Sequence, residues 1–129
     1  MLDAGAKESK SFINLGAVRN EKGEVLMIRR REKEEGAGNS VLEWAFPGGK
    51  QRYHESRTEC VRREILDETG YDVVSDREIS MRIHPQFMIT VVYHLCHLNS
   101  PEPIAEPKEA YEVAEIKWLK PENIKDLVT

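Results

Sequence analysis

Three carboxylates lie close together in one short segment, because Glu64, Asp67 and Glu68 occupy positions i, i+3 and i+4. On an α-helix with 3.6 residues per turn, this spacing places the three side chains on one face, within about 100°. Gly70 follows at once, so the acids would lie near the helix C-terminus, where negative charge opposes the helix dipole and like charges repel. A bound divalent cation would remove both penalties, and a locally unfavourable pattern of this kind is typical of a functional site.

A glycine-rich segment and a helix cap precede these acids. Pro47-Gly48-Gly49 would let the backbone approach a ligand closely, since glycine has no Cβ. Ser56 and Glu59 have the spacing of a capping box, which predicts a helix that runs to Thr69 and stops at a left-handed Gly70. Mg²⁺ prefers oxygen ligands, so the pattern predicts a magnesium site where a spare carboxylate deprotonates an attacking water. A solvated helix with a charged face is the alternative, and it leaves the glycines and the acids unexplained.

The segment from Gly49 to Tyr71 resembles the Nudix box. Gly49 is followed after five residues by Glu55 and, after seven more, by Arg63-Glu64-Ile65-Leu66-Asp67-Glu68-Thr69-Gly70-Tyr71. Three positions depart from that motif: Asp67 replaces a glutamate, Tyr71 replaces an aliphatic residue, and His54 occupies a place where glycine is common. The shorter Asp67 side chain leaves open a water-mediated contact or a weakened second metal site.

The resemblance implies a fold of the α/β (α+β) class, an α/β/α sandwich with a mixed β-sheet. It also implies a metal-dependent hydrolase that cleaves a phosphoanhydride bond in a nucleoside diphosphate linked to another moiety, such as a nucleoside triphosphate, ADP-ribose or a nucleotide sugar. The implied cofactor is Mg²⁺ or Mn²⁺. By position, Glu64 would be a metal ligand or the general base, and Glu68 would be the central metal ligand with Asp67 beside it.

Two further implications concern the loop ahead of the helix. Glu55 and Arg63 would form the ion pair that holds the loop to the helix, and the carbonyl of Gly49 or Lys50 would complete the metal shell.

Nudix enzymes often recruit one more carboxylate from a region near the last strand. Glu112 and Glu115 are the candidates here, with ordinary surface glutamates as the alternative.

Arg30, Lys50 and Arg52 are the candidates for binding substrate phosphates. Arg29, Arg30 and Arg31 end a predicted strand, where alternation places Arg30 on the face opposite to the other two. A guanidinium group suits phosphate geometry, but a solvated strand end explains the three arginines equally well. Lys50 and Arg52 flank the predicted site and are better placed.

Two other groups of polar residues favour structural roles. His94 and Cys96 share a strand face while His97 points the other way, and two ligands are too few for a structural zinc site. Cys60 lies one turn before Glu64 and is expected to be a buried thiol rather than a nucleophile, since nothing nearby is arranged to activate it.

These residues need a scaffold of strands. Apolar and β-branched runs predict strands over 12–19, 25–28, 41–46, 71–74, 79–83, 87–98 and 113–119. Asn20 to Gly23 predicts a hairpin turn, residues 32–40 and 99–108 read as loops, and Pro121 suits the first position of a short helix. We expect a single domain over residues 1–129, and truncation of a longer C-terminal helix remains an open hypothesis.

The net charge, the cysteine count and the distribution of apolar residues limit the kinds of protein that this chain can be. The chain has 129 residues and a formal net charge of −4, which argues against a basic surface for DNA or RNA. Two cysteines without a CxxC motif, and the lack of a long apolar run, favour a cytoplasmic protein away from the membrane. The expected partner is a small-molecule nucleotide, and a homodimer remains open.

Alternative functions stay open from sequence alone. One is a catalytically weak Nudix-fold module that binds or senses a nucleotide, for which Asp67 is the only hint. Another is an isomerase of an isoprenoid diphosphate, which the two cysteines and the short chain support poorly. In some members of the family that the chain resembles, a proline downstream of the box hints at ADP-ribose; Pro85 is similar, although its spacing is slightly off and a proline that opens a strand is an adequate explanation.

Overall fold

A computed structural model of the chain describes residues 12–30, 44–84, 88–109 and 112–124. Its elements in chain order are β1 (Phe12–Arg19), β2 (Val25–Arg30), β3 (Trp44–Ala45), β4 (Gly48–Lys50), α1 (Arg57–Thr69), β5 (Val73–His84), β6 (Ile89–Leu98), β7 (Val113–Leu119) and α2 (Pro121–Ile124). Several predicted features lie outside the described residues, namely Arg31, the loop at 32–40, the start of the strand predicted at 41–46, Pro85 and Phe87.

The strands form one mixed sheet in the order β3-β2-β1-β6-β5, with β4 paired to β1 and β7 paired to β2. The β1–β6 pair is parallel, whereas the other strand pairs are antiparallel. Parallel neighbours require a crossover connection, and α1 lies in the chain between β1 and β6. The predicted α+β class with a mixed sheet is therefore confirmed.

Two predicted boundaries are wrong for identifiable reasons. The strands predicted at 71–74 and 79–83 are one long strand, β5, whose pairing with β6 is interrupted by register shifts between Ser75 and Arg77 and between Glu78 and Ser80. These irregularities fall where the apolar pattern is broken by charged residues. The predicted break at Pro47-Gly48-Gly49 contains β4, because backbone pairing with β1 does not require side chains.

The core lies between α1 and the sheet. Val61 and Ile65, one turn apart on α1, are fully buried against Val18, Leu26 and Cys96. Burying a side chain of this size contributes about 1.5–3 kcal/mol to folding. Because Val61 and Ile65 fix the rotation of α1 on the sheet, they also determine where its acidic residues point.

Both ends of α1 have the predicted caps. The Glu59 N–H donates to Ser56 Oγ at 3.2 Å and the Ser56 N–H donates to Glu59 Oε1 at 2.9 Å. Gly70 ends the helix with φ 83° and donates its N–H to the Leu66 carbonyl at 2.8 Å. A Cβ at Gly70 would lie 2.2 Å from the Ala105 carbonyl oxygen, so glycine is required there by conformation and by space.

Among the described residues, no helix combines the length and the apolar character needed to cross a bilayer.

Candidate metal centre

Three glutamates converge at the sheet-facing edge of α1. Ligand oxygens of Glu64, Glu68 and Glu109 all lie within 4.8 Å of one another. Glu64 and Glu68 belong to successive turns of α1, and Glu109 comes from the loop before β7. The Glu109 N–H donates to the Asp67 carbonyl at 3.0 Å, which ties that loop to the end of the helix. Asp67 is not in this group, whereas Glu109, which the sequence reasoning missed, completes it.

Glu68 is the most deeply buried acid of the cluster, with 1% of its surface exposed. Its two oxygens accept from the Gly48 N–H at 2.9 Å and from Arg30 Nη1 at 2.8 Å. Burial raises the pKa of Glu68 from 4.5 to about 7, against the opposing effect of Arg30. The structure thus places Arg30, a candidate for phosphate binding, on Glu68 and on the Gly48 carbonyl at 3.3 Å. Arg30 would have to share or leave these partners to contact a substrate.

Arg63 joins the loop before α1 to the acidic face. Its Nε and Nη2 form an ion pair with Glu55, and Nη2 also donates to the Lys50 carbonyl at 3.1 Å. Its Nη1 lies 3.2 Å from Glu64 Oε2 and 3.7 Å from Asp67 Oδ2. Burial opposes the charge of Arg63, but the hydrogen bonds from Arg63 to Glu55 and the nearby Glu64 charge raise its pKa. One guanidinium group therefore orients three carboxylates.

Glu55 is the loop partner in this ion pair and is 5% exposed. Burial favours its neutral form, yet hydrogen bonds from Arg63 and from the Arg52 N–H, at 2.9 Å, lower the pKa of Glu55. Glu55 is therefore held as a charged anchor at the opposite side of Arg63 from the cluster. This places it as a support for Glu64 rather than as a member of the cluster.

Glycine at position 49 leaves room for Glu64. A Cβ there would lie 2.6 Å from the Glu64 carboxyl carbon and 2.8 Å from each of its oxygens. The Glu64 carboxylate therefore packs directly against the loop backbone. Burial raises the pKa of Glu64, and the charges of Glu109 and Asp67 add to this effect while Arg63 opposes it. The Gly49 carbonyl accepts from Cys60 Sγ at 3.5 Å.

A groove runs beside the cluster along the outer face of α1. It is lined by Arg52, Glu59, Arg62, Arg63, Leu66, Asp67, Lys108 and Glu109. Arg62 forms an ion pair with Asp72, to which its Nε and Nη2 donate at 2.7 and 2.9 Å. Lys108 Nζ lies 4.0 Å from Asp67 Oδ1. Arg52 and Lys108 thus bring positive charge next to the acids, whereas the Lys50 side chain is exposed and outside this lining.

The two glutamates predicted as extra ligands lie in different places. Glu115 on β7 pairs with Arg29 at 3.4 Å and with Lys117 at 3.6 Å. Glu112 donates its N–H to the Glu109 carbonyl at 2.9 Å. Burial raises the pKa of Glu109, and the Glu112 charge adds to this effect. Metal roles for Asp67, Glu112 and Glu115 stay predictions.

The cysteines and His94 have the buried character expected from the sequence. Cys60 and Cys96 are free, and burial raises the pKa of each thiol to about 12, so neither is a reactive thiolate. His94 is fully buried and bonded to Ser75 and Asn14. Within the described ranges, the glutamate cluster is the only grouping of potential metal ligands found.

The donor set fits a hard divalent cation. Mg²⁺ and Mn²⁺ take carboxylate and carbonyl oxygens, and the cluster offers three glutamates, one of which packs against the Gly49 backbone. The pKa values of Glu64, Glu68 and Glu109 are all raised, first by burial and then by neighbouring acids. A cation would offset both causes at once, because it would compensate the buried charge and screen the mutual repulsion.

A family model described as NUDIX domain matches residues 13–129. The chain belongs to the Nudix family. Its box residues Glu64 and Glu68 are the two helical members of the cluster, and Arg63 and Glu55 are the pair that supports it.

Three known proteins illustrate the similarity. A Bacillus subtilis (strain 168) protein, provisionally named 8-oxo-dGTP diphosphatase, is 29% identical over 104 residues, which cover 81% of this chain and 62% of that protein. The MutT protein of Methanosarcina mazei Go1 is 29% identical with a TM-score of 0.67, covering 96% of this chain and 86% of the other. A UDP-X diphosphatase structure, at 19% identity and a TM-score of 0.63, covers 89% of this chain and shares its fold.

The chain spans only 62% of the curated relative and 52% of the UDP-X diphosphatase chain that it matches.

Proposed function

We propose that this Nudix chain is a metal-dependent pyrophosphohydrolase. It would cleave a phosphoanhydride bond in a nucleoside diphosphate linked to another moiety, using Mg²⁺ or Mn²⁺. The observation that carries the proposal is the convergence of Glu64, Glu68 and Glu109 within 4.8 Å of one another, beside the loop backbone at Gly49. One buried and two partly buried carboxylates this close together are unfavourable without a cation, which is why the cluster supports a metal-dependent reaction rather than a structural role.

The protein groups would divide the work as follows. Glu68, fixed by the Gly48 N–H and Arg30, and Glu64, fixed by Arg63, would hold the cation together with the Gly49 carbonyl. A divalent cation bound there would neutralise phosphate charge and make a bound water more acidic. Glu109, the third carboxylate of the cluster, would accept the proton of the attacking water. Arg52 and Lys108, along the groove, would bind the phosphate groups that are not cleaved.

A nucleoside triphosphate, normal or oxidised, is the substrate class that we favour. The support is that two relatives at 29% identity carry the names 8-oxo-dGTP diphosphatase and MutT protein. A panel of normal and oxidised nucleoside triphosphates, ADP-ribose, nucleotide sugars and dinucleotides, each with Mg²⁺ and with Mn²⁺, tests this choice. Turnover of ADP-ribose or of a nucleotide sugar alone would replace the triphosphate assignment and leave the pyrophosphohydrolase proposal intact.

Glu68→Gln tests the activity itself. We expect the variant to lose Mg²⁺-dependent turnover by at least about 100-fold while circular dichroism shows an intact fold. Glu122→Gln, at an exposed position in α2, is the matched control and should keep wild-type turnover. Full activity of Glu68→Gln would contradict the proposal. Nucleotide binding without turnover in the wild-type protein, measured by calorimetry, would instead favour a catalytically weak binding module.

Glu64→Gln and Glu109→Gln identify the proton acceptor. Loss of a metal ligand raises the dissociation constant of Mn²⁺, whereas loss of a general base lowers kcat at saturating Mn²⁺ with little change in metal affinity. We expect the two variants to divide between these two patterns. If neither variant changes Mn²⁺ affinity or kcat, the cluster is not the catalytic centre.

A further inference from the structure

A line of buried polar side chains connects the sheet to the loop that carries the candidate centre. Ser75 Oγ lies 2.8 Å from His94 Nδ1, and His94 Nε2 lies 2.9 Å from Asn14 Oδ1. Asn14 Nδ2 donates to Gln51 Oε1 at 2.9 Å, and Gln51 Nε2 donates to the Glu55 carbonyl at 3.0 Å. His94 and Asn14 have no exposed surface and Gln51 is 7% exposed. We call these four side chains, Ser75, His94, Asn14 and Gln51, the polar relay.

The last acceptor fixes the direction of every hydrogen bond in the polar relay. The Glu55 carbonyl can only accept, so Gln51 donates its amide nitrogen and presents Oε1 to Asn14. Asn14 then donates Nδ2 and presents Oδ1, so His94 carries its proton on Nε2 and accepts at Nδ1 from the Ser75 hydroxyl. Burial lowers the pKa of His94 to about 4, which keeps the ring neutral as this pattern requires.

The polar relay meets the loop from inside the protein, opposite to Arg63. Gln51 bonds the Glu55 carbonyl from the buried side, and Arg63 bonds the Glu55 carboxylate and the Lys50 carbonyl from the other side. Asn14 also pairs with Gly49 in the register of β1 and β4. Residues 49–55 are therefore held between the polar relay and Arg63.

We propose that Asn14 and His94 are positioning residues for the candidate metal centre. Neither belongs to the glutamate cluster. They act through Gln51 by fixing residues 49–55, so that the Gly49 backbone and the Glu55–Arg63 pair confine the Glu64 carboxylate. This inference rests on the proposed function, because it concerns how the same centre is kept ready for a cation.

The energetics of burial explain why the polar relay would act as one unit. Each member except Ser75 uses one side-chain atom to donate and another to accept, so removing one member takes one hydrogen-bond partner from each of its neighbours. A buried polar atom that loses its partner is energetically unfavourable, because it has already lost its hydrogen bonds with water. The chain would relax by admitting water or by turning the Asn14 amide, and either change releases Gln51 from the loop. Loss of outer supports of this kind lowers metal affinity about 10- to 100-fold.

The test compares two replacements of His94 with a matched core variant, using Mn²⁺ alone as the probe. His94→Phe keeps the ring volume and removes both polar atoms, whereas His94→Gln keeps a donor toward Asn14. Val92→Ala alters a fully buried residue on the same face of β6; Val92 is the register partner of Asn14 on β1, so the change removes packing beside the polar relay but none of its hydrogen bonds. Mn²⁺ affinity is measured by electron paramagnetic resonance, and hydrogen exchange of residues 48–55 is measured without metal.

We expect His94→Phe to raise the Mn²⁺ dissociation constant about 10-fold and to speed exchange of residues 48–55. His94→Gln should recover most of the affinity, and Val92→Ala should change neither quantity despite its loss of core packing. If His94→Phe behaves like Val92→Ala in both measurements, the inference is overturned. If wild-type protein binds no Mn²⁺, the proposed function fails, and exchange then decides alone whether the polar relay orders the loop.

Gln51→Met serves if His94→Phe does not fold. Gln51 lies at the loop end of the polar relay, so the substitution removes the contacts with Asn14 and with the Glu55 carbonyl while leaving the centre of the sheet unchanged. The same loss of Mn²⁺ affinity and the same faster exchange are expected. Wild-type values for both quantities in Gln51→Met would overturn the inference.

Discussion

The burial of Glu68 predicts an unusual result for Glu68→Gln: the variant should be more stable than the wild type at high pH when no metal is present. Glu68 has a pKa of about 7 in the folded protein, above the ordinary value of 4.5. A carboxyl group with a raised folded pKa stabilises the fold at low pH, and this contribution is lost as the pH rises from about 4.5 through about 7. Glutamine is neutral throughout and does not lose it.

The magnitude follows from the two pKa values. The difference between 4.5 and about 7 corresponds to about 3 kcal/mol at 1.36 kcal/mol per pH unit. Glutamine keeps an oxygen for the Gly48 N–H, and the attraction of Arg30 to the ionised carboxylate is already contained in the pKa of about 7, so it adds no separate cost. Between about pH 5 and about pH 8, the stability of the variant relative to the wild type should therefore rise by about 2–3 kcal/mol.

The variant must be compared with the wild type, because the contribution of His94 to stability changes with pH in the direction opposite to that of Glu68. Its pKa is lowered from 6.5 to about 4 by burial, so its contribution to stability is present above pH 6.5 and lost as the pH falls through about 4. In the wild type, the changes with pH in the free energy of unfolding that come from Glu68 and from His94 nearly cancel. They do not cancel in the difference between the two proteins, since Glu68→Gln leaves His94 unchanged.

Urea unfolding in the presence of a chelator, at a series of pH values between about 5 and 8, measures this difference. Addition of Mn²⁺ at about 100 times its dissociation constant should then stabilise only the wild type, by about 2.7 kcal/mol. The reasoning is refuted if Glu68→Gln is destabilised by the same amount at every pH. It is also refuted if Mn²⁺ stabilises the variant as much as it stabilises the wild type.

Three further substitutions separate support of the centre from support of the fold. Arg63→Lys keeps the charge but loses the forked contact with Glu55, so Mn²⁺ affinity measured by calorimetry should fall about 10-fold; unchanged affinity would contradict the role of this pair. Gly49→Ala should also weaken Mn²⁺ binding about 10-fold, because its Cβ would lie 2.6 Å from the Glu64 carboxyl carbon, and wild-type affinity would show that Glu64 need not pack there. Gly70→Ala should instead lower the free energy of unfolding in urea by about 2 kcal/mol, because alanine would have to adopt a left-handed φ of 83° at a crowded position. Mn²⁺ affinity should not change. Unchanged stability would show that the helix end relaxes freely.

The sequence was informative wherever the determinants of structure are local. The capping box at Ser56 and Glu59, the glycine stop at Gly70 and the i, i+4 pair of Val61 and Ile65 all depend on residues within a few positions of one another. Such patterns predict the start of α1, its end and its buried face. They also predict that Glu64 and Glu68 share a face, and their oxygens do lie in one cluster.

Contacts between distant parts of the chain could not be predicted in this way. Glu109 joins the cluster because its loop bonds the carbonyl of Asp67, and nothing in the spacing of that proline-rich segment indicates this hydrogen bond. Arg30 pairs with Glu68, 38 positions away, although its place at a strand end equally suited a phosphate ligand. The polar relay joins Asn14 to His94, 80 positions apart, in a pairing that depends on the parallel alignment of β1 and β6.

Glu64, Asp67 and Glu68 do lie near the C-terminal end of α1, where their negative charge opposes the helix dipole. Positive groups of the protein compensate this charge only in part. The described last turn of α1 contains no basic residue, and the cations that reach the acids come from elsewhere: Arg63 from the preceding turn, Arg30 from β2 and, at 4.0 Å from Asp67, Lys108. If these two arginines neutralised the cluster fully, the pKa values of Glu64 and Glu68 would lie below their ordinary range, as that of Glu55 does. They are raised instead, so burial outweighs the arginines. Negative charge at this edge of α1 is therefore only partly balanced by the protein, and a divalent cation, as the proposed function requires, would balance the remainder.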